Sequence, residues 1–437
     1  MNIIHGDCLE ELKKLEDNSI DAVVCDPPYG LSNTKPQQVA DVLKAWVTGD
    51  TVSVPAKKGG FMGKDWDSFV PPPAVWEECM RVLKPGGHMA VFAGARTQDL
   101  MGLSIRLAGF EIRDTLGWVY GSGMPKSLDV SKAIDKAAGA EREVIGTRKK
   151  LDSYGQQAGN NVYGGGPNHD GLQAITVPAT PEAKQWDGWG TALKPAIEPI
   201  ILARKPLDGT VANNVLAHGV GGLNIDACRV GMSDADREVV DCRSGAAADY
   251  DGEGWGKRGN YPEGRKFKSA PAGRFPANVL LDEHAAKEMD KQSGVSVSRA
   301  NTSSDGRGAE GSHIFASASF GRRDPSNSYN DSGGASRFFP VFKYQAKAPK
   351  KERPVIVRED GTKVQHPTVK PLKLMEWLAT LITPEGGTVL DPFAGTGTTL
   401  QAATNKGFHP IGIEADTDYI QLIHKRLEGG TTSTRSS

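Results

Sequence analysis

The sequence lacks a long hydrophobic run, has few cysteines and carries almost no net charge. Its apolar runs are all shorter than the roughly 20 residues of a membrane-spanning helix, and its first residues lack the pattern of a signal peptide. None of the five cysteines forms a CxxC pair, which favours reduced thiols and argues against a zinc site. A formal net charge of −1 excludes a global field that attracts nucleic acid. We expect a cytoplasmic protein without a membrane segment or a metal site.

The composition predicts several modules joined by long loops. A chain of 437 residues exceeds one typical domain, and 52 glycines and 27 prolines are above average usage. Residues 207–342 are rich in Gly, Ser, Asn and Asp, with only short apolar strings. They hold a basic stretch with interleaved aromatic rings, Trp255–Arg274, and a second basic run follows at Lys343–Lys351. Both runs suit contacts with phosphates and bases, although a solvated loop explains either run as well.

The first 25 residues predict a β-α-β unit. Asn2–Asp7 has the pattern of a short strand that ends in an acid, and Cys8–Leu15 carries apolar residues at helical spacing. Asp21–Cys25 has the pattern of a buried strand. Because two strands joined through a helix are usually parallel neighbours, this unit favours a parallel sheet with right-handed crossovers.

The second of these strands runs directly into Asp26-Pro27-Pro28-Tyr29. Proline fixes φ and donates no backbone hydrogen bond, so the turn is stiff and its carbonyls are free to accept. At the carboxyl end of a strand, where α/β proteins bind ligands, such acceptors suit a planar amino group under a stacked ring. The alternative is an ordinary proline turn with a surface tyrosine.

The segment after this turn, Leu31–Trp66, is polar and irregular, and we interpret it as a lid with Phe61 or Trp66 over the pocket. Regular patterns then resume. Further strands of the same sheet are expected at residues 88–92, 110–120 and 198–203, which makes residues 121–190 an insertion.

A glycine-rich turn near the other end of the chain predicts a nucleoside site. The strand Thr388–Leu390 is followed by Asp391-Pro392-Phe393-Ala394-Gly395-Thr396-Gly397 and then by a helix. Glu414 ends the next strand, 23 residues after Asp391, and suits a ribose diol. Leu400 stands where a dinucleotide fingerprint has a third glycine, which favours S-adenosylmethionine over NAD.

This cofactor half lacks a third strand, because no strand pattern follows Leu427. The N-terminal strand that ends at Asp7 supplies what is missing. We infer that the two ends of the chain meet in one sheet and that the cofactor half and the catalytic half are permuted in order.

Three motifs together resemble the amino-methylating DNA methyltransferases, which act on adenine N6 or cytosine N4. They are Asp-Pro-Pro-Tyr at 26–29, His-Pro-Thr-Val-Lys-Pro at 366–371 and Asp-Pro-Phe-Ala-Gly-Thr-Gly at 391–397. Their order resembles the subgroup in which the catalytic motif comes first, the target-recognition region second and the cofactor motif last. The resemblance covers residues 1–120 and 343–428.

The resemblance implies an α/β, Rossmann-like methyltransferase sheet with circularly permuted motif order and a large inserted, loop-rich target-recognition region. The implied domains are a catalytic half at residues 1–206 with the insertion near 121–190, a target-recognition region at 207–342, and a cofactor-binding half at 343–428. Residues 429–437 are expected to form a disordered tail.

The resemblance also implies roles for individual residues. Asp26 and the Pro27 carbonyl accept the two hydrogens of the target amine, with Pro28 in the same catalytic turn, and Tyr29 stacks on a base flipped out of the duplex. Asp7 would contact the adenine of the cofactor, although it could instead cap the helix that follows. Lys370 would lie near the methionine end, unless it is a surface lysine. The full implied cofactor set is Asp7, Cys8, Thr368, Lys370, Asp391, Pro392, Phe393, Ala394, Gly395, Gly397 and Glu414.

The implied reaction is methylation of adenine N6 in double-stranded DNA. Cytosine N4 is the nearest alternative, but cytosine members more often carry Ser where this chain has Asp26. Methylation of RNA or of a protein amide, and a catalytically silent DNA-binding module, are further alternatives. A homodimer and a cognate restriction endonuclease of a restriction-modification system are left open.

Overall fold

A computed structural model describes residues 2–32, 34–55, 67–121, 123, 127–149, 172–231, 273–297, 332–342, 354–358, 360–366 and 368–430. Phe61, Trp66 and, apart from Arg274, both basic runs lie outside these residues. The chain divides into two compact units, one formed by Met1–Trp118 with Glu198–Ser437 and the other by Val119–Ile197. No helix in the described ranges is long and apolar enough to cross a membrane.

The strands, in chain order, are β1 (Asn2–His5), β2 (Ile20–Cys25), β3 (Leu83–Phe92), β4 (Glu111–Val119), β5 (Val144–Lys149), β6 (Leu172–Thr176), β7 (Ile197–Arg204), β8 (Val279–Asp282), β9 (Ser296–Val297), β10 (Ser332–Gly333), β11 (Val341–Phe342), β12 (Ile356–Val357), β13 (Lys363–Val364), β14 (Thr388–Asp391) and β15 (His409–Glu414).

The helices are α1 (Cys8–Leu12), α2 (Pro36–Val47), α3 (Pro73–Val82), α4 (Gln98–Leu107), α5 (Val130–Ala137), α6 (Pro181–Gln185), α7 (Val211–His218), α8 (Glu283–Ser293), α9 (Leu372–Ile382), α10 (Thr398–Asn405) and α11 (Thr417–Gly430).

Among the described residues, one nine-stranded sheet has the order β1-β15-β14-β2-β3-β7-β4-β8-β11. Strands β1, β15, β14, β2 and β3 are parallel to one another, whereas β7 runs antiparallel to β3. The first strand pairs with β15 in a register that matches Ile4 with Ile413. The inference that the two ends of the chain share a sheet is therefore confirmed, as is the α/β class. The permuted order of the halves stays a prediction.

Strand β2 lies at the centre of the core. All six of its residues are buried, as expected for a strand of a parallel sheet that is covered on both faces. The charged residue in it, Asp21, accepts hydrogen bonds from Lys84 Nζ at 2.6 Å and from the Thr388 backbone N–H at 2.7 Å. Because these partners belong to β3 and β14, the buried carboxylate connects three strands.

The segment predicted to be an irregular lid contains helix α2, and that part of the prediction is wrong. Pro36 occupies the first helical position, where its missing N–H costs nothing, and Val42 and Trp46 bury one face at i, i+4 spacing. The tail boundary also shifts, since helix α11 extends to Gly430, past the predicted start of the tail at residue 429.

The second unit, Val119–Ile197, contains α5, α6 and the antiparallel pair β5–β6. Its buried Asp135 accepts hydrogen bonds from Arg142 at 2.6 Å and from the Thr180 backbone N–H at 3.0 Å. These bonds join α5 to the start of α6.

Candidate active site

Several acidic side chains follow neighbouring strands at one edge of the sheet. Asp26 directly follows β2, while Asp391 and Glu414 end β14 and β15. Since β7 runs antiparallel to β3, its first residues lie at this same edge, and the Ala93 N–H bonds the Pro199 carbonyl at 2.9 Å. The sheet topology thus brings Glu198 to the edge where the other acids converge.

The turn after β2 is held in one conformation by polar contacts. The Tyr29 hydroxyl donates to Asp26 Oδ1 at 2.7 Å. Buried Asp67 accepts from the backbone N–H groups of Tyr29 and Gly30 at 2.7 and 3.0 Å, and Thr97 Oγ1 donates to the Tyr29 carbonyl at 2.6 Å. Gly30 has φ +66°, a conformation that glycine adopts without strain. The carboxylate and the ring are therefore preorganised.

Lys370 contacts this turn from a position 344 residues along the chain. Its Nζ lies 2.7 Å from Asp26 Oδ2, 2.9 Å from the Tyr29 hydroxyl and 3.2 Å from Glu198 Oε2. It also lies 4.8 Å from the centroid of the Phe92 ring. The residue that the sequence assigns to the cofactor thus contacts the predicted catalytic acid.

Burial by itself lowers the pKa of Lys370, but the carboxylates of Asp26 and Glu198 outweigh it and raise this pKa above its ordinary value. Burial, followed by the charge of Asp26, raises the pKa of Tyr29 well above its usual range. Both groups stay protonated at neutral pH, so neither is a general base.

The glycine turn closes on Glu414. Gly395 has φ +54°, and its N–H donates to Glu414 Oε2 at 2.7 Å, while Glu414 Oε1 accepts from the Asp416 N–H at 2.9 Å. Gly397 has φ +75°, and a Cβ there would lie 2.9 Å from Ile423 Cγ2. Burial raises the pKa of Glu414. These contacts hold the glycine turn against the end of β15.

Asp391 stabilises the start of this turn through a hydrogen bond from its backbone. Its buried carboxyl accepts from the Phe393 N–H at 3.0 Å. Burial raises the pKa of Asp391 to about 7, although hydrogen bonds from the Thr399 side chain and the Phe393 backbone oppose the rise. Pro392 and Ala394 are buried, and the Phe393 ring lies 6.1 Å from that of Trp76.

The three remaining predicted residues lie around the ends of β1 and α9. Asp7 is exposed and caps α1, since its carboxylate accepts from the N–H groups of Leu9 and Glu10 at 3.0 and 3.3 Å. Burial raises the pKa of the Cys8 thiol to about 12. Thr368 is exposed, and its carbonyl contacts the ring of His366.

Glu198 and His366 belong to this edge but are absent from the predicted site. His366 Nε2 lies 3.7 Å from the point that a Cβ of Gly395 would occupy, and its ring packs edge-to-face on Tyr419. A signal for Glu198 exists in the sequence, because an acid that begins an antiparallel strand lies at the edge where the parallel strands end. No comparable signal marks His366.

Within the described ranges, no group of three or more His, Cys, Asp or Glu side chains is arranged to hold a metal ion. The acids at this edge instead bind Lys370, the Tyr29 hydroxyl and backbone N–H groups.

Fold and site together define a class, an α/β protein whose acids and glycine turn converge on one edge of the sheet. The sequence model of a family described as DNA methylase, with N6 and N4 members, matches residues 20–156 and 179–425. The chain therefore belongs to the N6/N4 DNA methylase family.

Curated relatives show two kinds of match. The type II methyltransferase M.HindIII of Haemophilus influenzae is 22% identical over 97% of this chain and 94% of its own length. Shorter matches include the type II methyltransferase M2.DpnII of Streptococcus pneumoniae, 45% identical over 15% of this chain and 24% of that protein. The DNA adenine methyltransferase YhdJ of Escherichia coli is 32% identical over 28% of this chain and 33% of its own length.

Solved structures give a weaker likeness of fold. The complex of M1.HpyAVI with SAM has a TM-score of 0.37 at 15% identity and covers 98% of each chain. The cytosine-N4-specific PvuII DNA methyltransferase has a TM-score of 0.39 at 14% identity, over 100% of this chain and 87% of that one.

Proposed function

We propose that this protein transfers a methyl group from S-adenosylmethionine to the N6 amine of adenine in double-stranded DNA. The observation that carries the proposal is the Asp26 carboxylate, held at the end of β2 by the Tyr29 hydroxyl at 2.7 Å and backed by a turn that Asp67 and Thr97 fix. Family membership supports the choice of DNA as substrate.

The glycine turn fits the cofactor. Gly395 and Gly397 have positive φ, and a Cβ on Gly397 would contact Ile423, so the tight turn that positions the Gly395 N–H beside Glu414 depends on glycine. Glu414 retains lone pairs beyond its two backbone bonds and suits the ribose hydroxyls. When bound, S-adenosylmethionine supplies a sulfonium methyl whose C–S bond breaks as the C–N bond forms, with the electron pair leaving on sulfur.

The residues of the catalytic turn prepare the amine. The lone pair of an adenine amine is delocalised into the ring, which makes the amine a poor nucleophile. Hydrogen bonds to Asp26 and to the Pro27 carbonyl would draw both amine hydrogens out of the ring plane and localise the lone pair on nitrogen. Asp26 also stabilises the positive charge that develops there, and the methylated nitrogen then loses one of its protons by way of Asp26 to water. Tyr29 would stack on the base after it leaves the duplex.

Asp26 supports adenine over cytosine through the family resemblance, because cytosine members more often carry Ser at this position. The test is methyl transfer from isotopically labelled S-adenosylmethionine to duplex DNA, followed by separation of the nucleosides. Label in N6-methyldeoxyadenosine is the expected result. Label in N4-methyldeoxycytidine would move the reaction to the alternative base, and a total lack of label in the DNA would refute the proposal.

The wider setting follows from the same proposal. We infer a cytoplasmic enzyme that binds duplex DNA through residues 207–342, with the permuted order of catalytic and cofactor halves. Sequencing of methylated DNA from cells that express the protein would give its recognition site. Pairing with a second copy or with a restriction endonuclease is tested by purifying the protein from those cells.

A further inference from the structure

The Lys370 ammonium occupies a site that is built from three oxygen acceptors and two aromatic rings. Its three N–H groups match the three oxygens of Asp26, Tyr29 and Glu198, at 2.7, 2.9 and 3.2 Å. The Nζ lies over the rings of Tyr29 and Phe92, 5.2 and 4.8 Å from their centroids. The side chain is only 11% exposed, so this charge is held inside the pocket.

This position coincides with the one that the proposed reaction requires for its target. A nitrogen that donates to Asp26 and lies beside the Tyr29 ring has the surroundings expected of the adenine amine. The ammonium and the amine compete for the same carboxylate oxygens. A fixed positive charge here would also repel the positive charge that develops on the amine during transfer. Lys370 must therefore leave Asp26 before the target can react.

Glu198 offers the place to which Lys370 can move. Its carboxylate begins β7, is 27% exposed and already lies 3.2 Å from the lysine Nζ. The lysine side chain has a flexible four-carbon stem. A change of its torsion angles would therefore release Asp26 while the ammonium keeps Glu198 as a charged partner. The Tyr29 hydroxyl, 3.3 Å from Glu198, can remain on Asp26.

We propose that Lys370 is a positioning residue that binds Asp26 in place of the target amine, and that Glu198 holds it when the base enters. The proposal rests on the proposed methyl transfer to a base amine. It gives Lys370 a role in base admission, which differs from the contact with the cofactor that the sequence implies.

The test is equilibrium binding of the free base 9-ethyladenine, with 1-methylcytosine in parallel, to the full chain by NMR titration. Lys370→Met removes the competing charge and is expected to tighten binding of 9-ethyladenine about tenfold. Lys370→Arg keeps the charge and should bind like the wild type. Lys373→Met is the matched control, because Lys373 lies three residues away, is 71% exposed and pairs with Glu376.

Glu198→Gln tests the second half of the proposal and replaces Lys370→Met if that variant does not fold. With a weaker partner for the displaced lysine, binding of 9-ethyladenine should weaken about threefold, and Lys370→Met in the same chain should abolish this loss. Binding unchanged in Lys370→Met and Glu198→Gln alike would overturn the proposal. So would a Lys370→Met variant that loses affinity for S-adenosylmethionine without any gain in base binding.

Labelled methyl transfer by the wild type separates the two proposals. If the wild type methylates DNA but Lys370→Met binds base no better, only the positioning role fails. If the wild type transfers no methyl group to DNA while base binding responds to Lys370→Met as expected, the positioning role stands and the proposed reaction fails.

Discussion

Three carboxyl groups at the candidate site differ in the groups that donate hydrogen bonds to them. Asp26 binds the Lys370 ammonium and a hydroxyl, and Glu414 binds two backbone N–H groups. Asp391 lies deepest, with one backbone N–H and the Thr399 side chain as donors, and its pKa of about 7 reflects that burial. The same functional group thus pairs with an ammonium at one position and has a raised pKa at another.

Asp26→Ala is expected to lower methyl transfer by about a thousandfold or more, because the amine would lose its charged acceptor. The affinity for S-adenosylmethionine should stay within about twofold, since the glycine turn is separate from Asp26. Turnover with labelled cofactor and calorimetric binding measure the two effects. Asp41→Ala, at an exposed position of α2, is the control. Loss of cofactor affinity in Asp26→Ala would make Asp26 a cofactor residue instead.

Asp391→Asn should flatten part of the dependence of stability on pH. The folded-state pKa of about 7 lies above the ordinary value of 3.8, so between these pH values the folded protein keeps a proton that the unfolded chain has released. Stability conferred by this group is therefore fully present below about pH 4 and is lost as the pH rises through 7, by on the order of 4 kcal/mol at most.

Thermal melting between pH 4 and pH 8 measures this loss. The Tm of the wild type should fall relative to that of Asp391→Asn as the pH rises, whereas Asp41→Asn should follow the wild type at every pH. Parallel curves for wild type and Asp391→Asn would show that Asp391 is ionised throughout.

At the scale of elements, the glycine turn between β14 and α10 combines backbone strain with close contact. Gly397→Ala forces a side chain into φ +75° and against Ile423, and we expect it to cost about 1–3 kcal/mol of stability and to weaken cofactor binding. Gly407→Ala is matched to it, since φ is +78° there and nothing lies within 4 Å of the added Cβ.

Chemical denaturation and calorimetric cofactor binding compare the two variants. Gly407→Ala should lose only the stability that backbone strain costs, about 1 kcal/mol, and should keep its cofactor affinity. Equal losses in both variants would mean that contact with Ile423 contributes nothing.

Elements whose signal is local are predictable from the sequence. Strands β2, β14 and β15 follow from apolar runs that end in acids. Helix α2 carries a readable signal too, with Pro36 at its start, but polar flanking residues obscure it. The contact between Lys370 and Asp26 has no local signal, because it depends on side-chain geometry between segments 344 residues apart.

At the scale of the whole molecule, the pairing of β1 with β15 places the N-terminal residues beside the strand that ends in Glu414. Deletion of residues 1–8 removes this edge strand and the Asp7 cap, and exposes the backbone of β15. We expect affinity for S-adenosylmethionine to fall about tenfold or more, because Glu414 ends β15, which keeps β14 as a neighbour but becomes an exposed edge strand.

Calorimetric titration with S-adenosylmethionine measures the effect, and deletion of residues 431–437 is the control at the other terminus. Unchanged affinity after deletion of residues 1–8 would show that β15 holds Glu414 in place without β1.

The main sheet could be predicted from the sequence because the C-terminal part of the chain lacks one strand, and the N-terminal strand supplies it. The roles of residues 207–342 were not, since short apolar strings leave the pairing of β8 with β11 undetermined. The pairing there joins segments that are far apart in the chain, and the local sequence pattern does not encode which of them become neighbours.

The pairing of Ile4 with Ile413 also has a consequence for synthesis on the ribosome. At roughly 5–20 residues per second, the partner of the first strand emerges some tens of seconds after that strand does. Until then β1 has no neighbour, and a nascent chain that stops short of β15 cannot complete the edge that carries Glu414. Interrupted translation would therefore release fragments that carry Asp26–Tyr29 but lack Glu414 and the strand that ends in it.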